Sequence, residues 1–289
     1  MLLAGITLFW GLNWPAMKIA MLDIEPWAFR GLCLAVGALG MVATARAGGR
    51  SLHVPRSDIL PLVAVSLLNV TGWHLASALG LAEMQAGRAS IVAFTMPLWA
   101  SLLGVLLLGE RMTAARVAGL ALGLAGMGAL LASDVASVIA APRGVLLMLL
   151  GALCWAGGTV MLKAVRWNLD TMQLAAWQLA IGSVPVVLGA FAVGSPSTIL
   201  AVGWTTGLAA LYTCLIPMIW CHYAWYSVVS LFPANVAAIG TLAIPVVGVF
   251  SSALLLGEAV GPNELAALAL VVAGLFLVMI FPGLPASRR

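Results

Sequence analysis

Apolar residues run along this chain in stretches too long and too continuous for the half-buried strands of a soluble sheet, with polar and turn residues gathered between them. The pattern predicts ten helices, roughly over 2–22, 26–46, 58–82, 87–109, 113–133, 143–164, 170–193, 198–229, 234–256 and 262–281. Most are close to the length of about 20 residues that a bilayer-spanning helix needs. The connections are short, so no separate soluble domain is expected. The first stretch has neither a basic start nor a small-residue cleavage site and carries Trp10, Trp14 and Lys18. It reads as a mature helix rather than a secretory leader.

The pattern also repeats. Pro97 and the run Leu106-Leu107-Leu108-Gly109-Glu110 return 148 positions later as Pro245 and Leu254-Leu255-Leu256-Gly257-Glu258. The same shift lays His74 on His222, Ala89 on Ala237, Ile91 on Ile239 and Ala125-Gly126 on Ala273-Gly274. A five-helix repeat is odd, so its second copy must enter the bilayer upside down. Inverted repeats of this kind mark transporters with a binding site between the halves. The expected fold is an all-α integral membrane protein. Ten transmembrane helices form two inverted five-helix repeats, residues 1–138 and 139–289, around a central cavity.

Composition agrees with the pattern: 63% of residues are hydrophobic, only 8% are charged, and the mean hydropathy is +1.14. If the N-terminus is inside, Arg46, Arg50, Arg56, Arg111, Arg116, Lys163, Arg166, Arg288 and Arg289 fall on the cytoplasmic side. Only Lys18, Arg30, Arg88 and Arg143 fall outside or near the outer face. That bias puts both termini in the cytoplasm. Topology thus explains the net charge of +4, and no nucleic-acid partner is called for. Cys33, Cys154, Cys214 and Cys221 lie in apolar stretches without metal-type spacing and read as packing residues. No metal and no cofactor are expected.

Candidate binding residues begin in the first helix. Trp10, Asn13, Trp14, Met17 and Lys18 share one helical face, and an amide, two indoles and an ammonium are poorly suited to lipid. The second half repeats the pair as Trp155 and Lys163, at the same eight-residue separation. Charged groups within a span usually face the bundle interior. Lysines near a helix end also snorkel to the headgroups, so both readings stand for Lys18 and Lys163. His74 and His222 are matched by the repeat, and Trp225 and Tyr226 follow His222 on its own face. Such a face suits an apolar or aromatic side chain, while imidazole suits a carboxylate or a coupling proton. A buried histidine held by hydrogen bonds alone is the other reading. Trp99 is a further candidate. Pro97 and Pro245 each free a carbonyl one turn back, at Ala93 and Thr241, and are expected to act as hinges or static kinks. Glu110 and Glu258 lie at span ends, where Arg111 or loop amides are their expected partners. The small faces of the fifth and tenth helices, including Gly119-x-x-x-Gly123, are expected to pack together at the periphery.

The blocks Ala89 to Gly126 and Ala237 to Gly274 resemble the EamA domain of the drug/metabolite transporter superfamily. The opening Phe9-Trp10-Gly11-Leu12-Asn13-Trp14-Pro15 and His74 are similar to the aromatic amino acid exporters of bacterial inner membranes. The resemblance implies a monomeric or loosely associated exporter of small metabolites, amino acids first, with toxic cations or drugs as the alternative. A membrane-embedded enzyme is the contrasting class. It calls for paired intramembrane carboxylates, H-E-x-x-H or G-x-S-x-G, and none of these occurs. No phosphate-binding G-x-x-x-x-G-K-[ST] loop is present either, which leaves a secondary rather than an ATP-driven carrier.

Overall fold

The computed structural model describes residues 1–110, 112–132, 142–231 and 243–280, in which the secondary structure is helical throughout. Ala237, Ile239 and Thr241, three positions of the repeat, lie outside the described residues, as does Arg111. Helix α1 is Leu2–Ala20, α2 Pro26–Ala47, α3 Arg56–Ala82, α4 Ala86–Leu108 and α5 Ala114–Ala132. In the second half α6 is Pro142–Ala164 and α7 Thr171–Ala192. Next comes α8, which joins Trp204–Leu215, a π-helical turn Ile216–Cys221 and His222–Leu231, preceded by a short 3₁₀ turn, Pro196–Ala201. The last two described helices are α9, Ile244–Leu256, and α10, Pro262–Ile280.

Among the described residues, six helices are long and apolar enough to cross a membrane: α2, α3, α4, α6, α7 and Trp204–Trp225 of α8. Shorter apolar helices lie within α5, α9 and α10. The outer surface is apolar, with Leu60 78%, Phe191 74% and Leu254 85% exposed. Such a surface is unstable in water and suited to lipid.

Matched local signals shape the two halves. Glu25 caps α2, accepting from the amides of Trp27 and Ala28 at 3.0 Å each. Asp170, 145 positions on, caps α7 in a capping box with Gln173. Helix α4 ends at Gly109 with φ +66°, and α9 ends at Gly257 with φ +68°, left-handed positions where glycine carries no Cβ penalty. A π-helical turn, Leu67–Gly72, precedes His74 in α3, as Ile216–Cys221 precedes His222 in α8. Each adds a residue to its turn and so re-aims the helix that follows. Neither prolyl ring sits inside an unbroken helix. The backbone turns at Phe94 and Thr95, and Pro97 and Pro245 stand in the first turns of Met96–Leu108 and Ile244–Leu256, where a missing amide hydrogen costs little.

The packing follows the same correspondence. Helix α2 lies along α7, and α5 along α10. Helix α6 packs against α3 and α4, while α1 packs against α8 and α9. Exchanging each helix for the one five places on leaves this pattern unchanged. Between α5 and α10 the approach is close enough that a Cβ on Gly274 would stand 2.6 Å from the carbonyl oxygen of Gly119. The main core, from Trp14 and Phe29 to Ile244 and Leu275, draws residues from both halves.

Candidate functional site

Helix α1 enters a layer formed by both halves, and its residues separate by direction. Trp14 is buried, with its indole against Gly248 of α9. Trp10, one turn earlier, is only partly buried and turns toward α8. Its ring lies 5.9 Å from the His222 imidazole at an interplanar angle of 85°, and 5.9 Å from Trp225 at 50°. These edge-on and tilted contacts suit the quadrupoles of aromatic rings. They join a first-half helix to a second-half one. The Nδ1 of His222 is 2.8 Å from the Pro217 carbonyl, five residues back across the π-helical turn. That bond fixes the imidazole plane and leaves Nε2 for another partner. The side chain of Tyr226 lies outside the described residues.

His74 is placed differently. It is buried, with Nδ1 unpaired, beside the Trp73 ring at 6.5 Å and within electrostatic reach of Arg30 and His222. Asn13 donates through Nδ2 to the Met17 sulfur at 3.2 Å, and the guanidinium of Arg30 donates to the same sulfur at 2.9 Å. The Oδ1 of Asn13 and the Nε of Arg30 are buried without partners. So is Oδ1 of Asn69, whose Nδ2 reaches Gln178 at 3.3 Å. Buried polar atoms are nearly always paired, so the orphans on Asn13 and Arg30, which share the Met17 sulfur, mark a place with hydrogen-bonding capacity left over. Cys33 of α2 and Cys214 of α8, both buried, bring their sulfurs to 3.5 Å beside Arg30.

The remaining candidates lie apart from this cluster. The ammonium of Lys18 donates to the carbonyls of Leu81, Ala82 and Met84 at 2.8, 3.0 and 2.9 Å, which satisfies the end of α3. Its three donors are thus engaged. Lys163 is largely exposed and pairs with Glu110, whose other oxygen takes Arg116 at 2.7 Å. Burial pushes the Glu110 carboxyl up, but hydrogen bonds and charge from Lys163 and Arg116 outweigh it and hold the group below its ordinary value. Glu258 accepts from the Ala86 and Gly87 amides at 2.6 and 2.8 Å, capping α4. Trp155 packs on the main core, and Trp99 on the same core donates its indole N–H to Thr95 at 3.1 Å. The structure therefore brings Trp10, His222 and Trp225 into contact, sets His74 and Asn13 near Arg30, and leaves Trp14, Lys18, Trp99, Trp155 and Lys163 in packing or capping positions.

Arg30 is the residue the sequence reading passed over. The topology reading counts it among the charges outside or near the outer face; it sits in the first turns of the apolar stretch that begins at Pro26 and is 2% exposed. A lone cation within a span was the available signal.

Known proteins share this architecture. A crystal structure with 23% sequence identity superposes with a TM-score of 0.66 over 96% of both chains, which concerns the fold alone. The uncharacterized transporter YvbV of Bacillus subtilis (strain 168) is 32% identical over 282 residues, 96% of this chain and 90% of its own. A probable amino-acid metabolite efflux pump of Salmonella typhimurium is 26% identical over 283 residues, 94% of this chain and 91% of that protein. The profile of the EamA-like transporter family matches residues 1–132 and again 142–280, and the chain belongs to that family of membrane transporters rather than to any class of enzyme.

Proposed function

We propose that this protein is a secondary exporter of small metabolites, amino acids including aromatic ones foremost, working by alternating access across a bacterial inner membrane. In this reading ten helices span the bilayer as two inverted repeats, 1–138 and 139–289, with both termini in the cytoplasm. The exchange-symmetric packing, the paired π-helical turns and the matched left-handed glycines support the inverted repeat. The observation that carries the function is the contact of Trp10 with His222 and Trp225. An aromatic surface shared by the two halves is remodelled whenever one half rocks against the other. Solute stacked there gains about 0.5–1.5 kcal/mol per aromatic contact beyond simple burial. Pro97, beside the break at Phe94 and Thr95, and Pro245, in the first turn of Ile244–Leu256, supply the bending points.

Amino acid export as the specific task draws on the relatives named probable amino-acid metabolite efflux pumps. Aromatic faces also suit lipophilic cations, which keeps drug export as a second reading. The test is efflux from proteoliposomes of purified protein loaded with phenylalanine or tryptophan, with the released solute identified by mass spectrometry. Unaltered amino acid should leave faster than from empty-membrane controls. Release of a lipophilic cation but of neither amino acid would overturn the assignment in favour of the second reading.

A further inference from the structure

Arg30 stands about 6 Å along α2 from its start, within the first turns of a membrane helix, and has no carboxylate within 4 Å among the described residues. Its polar partner among the described residues is a thioether, the Met17 sulfur, and its Nε has none. A guanidinium held this way in a low-dielectric interior is strongly unfavourable unless an anion joins it. The surroundings offer none permanently. The neighbours of Arg30 include Met17, Cys33, Cys214, His74 and the Phe29 ring, whose centroid lies 5.5 Å from the guanidinium carbon, none of them an anion in its ordinary state. Beside it Asn13, hydrogen-bonded to the same sulfur, has a buried carbonyl oxygen without a donor.

We infer that Arg30 is the anchor for a carboxylate of the transported solute, with Asn13 Oδ1 accepting from a cationic group on the same molecule. The proposal rests on the amino-acid reading given above and narrows it. The fork of a guanidinium matches a carboxylate with two parallel N–H···O bonds, a geometry lysine lacks. An α-amino acid presents an ammonium one carbon from its carboxylate, so one molecule carries both an acceptor for the guanidinium and a donor for the Asn13 carbonyl oxygen. Trp10 and Trp225 then take the side chain. The arrangement also opposes lipophilic cations, because a bare guanidinium repels them.

The test compares three probes of one ring system on the purified transporter: phenylalanine, 3-phenylpropionate, which lacks the amine, and phenethylamine, which lacks the carboxylate. Binding is read by calorimetry and transport in proteoliposomes. Phenylalanine and 3-phenylpropionate should bind, phenethylamine about tenfold to a hundredfold more weakly. R30Q should remove that difference, and R30K should restore it only in part. The wild-type ligand series decides the matter if R30Q fails to fold. Equal binding of phenethylamine and phenylalanine to the wild type would overturn the role of Arg30 while leaving amino acid transport standing. Binding of 3-phenylpropionate lost in R30Q, with no phenylalanine transport, would uphold the carboxylate anchor and overturn the amino-acid reading. Absence of binding by either carboxylate would end both.

Discussion

The two halves share a scaffold and differ in chemistry. Where α1 carries Asn13, the matched position of α6, 145 residues on, is Gly158, whose free space is filled by the Asn69 amide. Arg30 of α2 is matched by Ala175 of α7. His222 is tied to the Pro217 carbonyl, whereas His74 leaves Nδ1 unpaired. Both Trp10 and Trp155 pack on the main core, but among the described residues only Trp10 also meets aromatic rings of the other half. The features that define helices, caps and turns are thus duplicated, whereas the buried polar atoms left without partners, on Asn13, Arg30, Asn69 and His74, belong to the first half. A carrier that must bend symmetrically but bind one orientation of a polar solute needs that division of labour.

The strongest way to break the comparison is to remove one tryptophan of each half. Trp10→Ala should cut transport at least tenfold, because its ring meets His222 and Trp225 across the two halves. Trp155→Ala should retain most transport, because that ring, equally part-buried, packs on the main core and makes no ring contact with Trp10, His222 or Trp225 among the described residues. Equal transport loss in both would mean that the site is as symmetric as the scaffold. Next in size is the α5–α10 seam. Gly274→Val forces side-chain atoms onto the Gly119 carbonyl and should cost about 1–3 kcal/mol in thermal or denaturant unfolding. Transport per folded molecule should stay near the wild-type level, since the seam lies apart from Trp10.

The glutamates sharpen the comparison at smaller amplitude. Glu258→Ala uncaps α4 and should cost about 1 kcal/mol. Glu110 gives a pH signature. Its carboxyl lies below the ordinary glutamate value of about 4.3 in the folded protein, so its stabilisation is complete above that value. It is lost as pH falls through the lower folded value, which a melting series at decreasing pH reads directly. Glu110→Gln should flatten that acid limb. Smallest of all, Arg50→Ala removes a half-exposed pair with Asp170 and should move stability by less than about 1 kcal/mol.

Much of the scaffold was legible because long apolar runs and their turn residues dictate where helices begin and end. The stretch read as 26–46 is observed as Pro26–Ala47, and that read as 58–82 as Arg56–Ala82. The eighth stretch departs, opening with the 3₁₀ turn Pro196–Ala201, because Gly203 and Val202 stand in extended conformation before α8. The π-helical turns left no residue signature beyond the matched histidines they precede. Helical periodicity placed Trp10, Trp14 and Lys18 on one face, yet their partners depend on what packs there. Gly248 admits Trp14, and the open end of α3 takes Lys18. The closeness of Cys33 to Cys214 and of Arg30 to Met17 is tertiary, and no spacing along the chain encodes it.

The most direct measurement is counterflow. Proteoliposomes are preloaded with unlabelled tryptophan, phenylalanine, threonine or methionine, radiolabelled tryptophan is supplied outside, and the Trp10→Ala protein serves as control. The account predicts transient accumulation of label driven most strongly by aromatic amino acids, retained in Trp155→Ala and lost in Trp10→Ala. Accumulation unaffected by Trp10→Ala, or none with any preloaded amino acid, would contradict it.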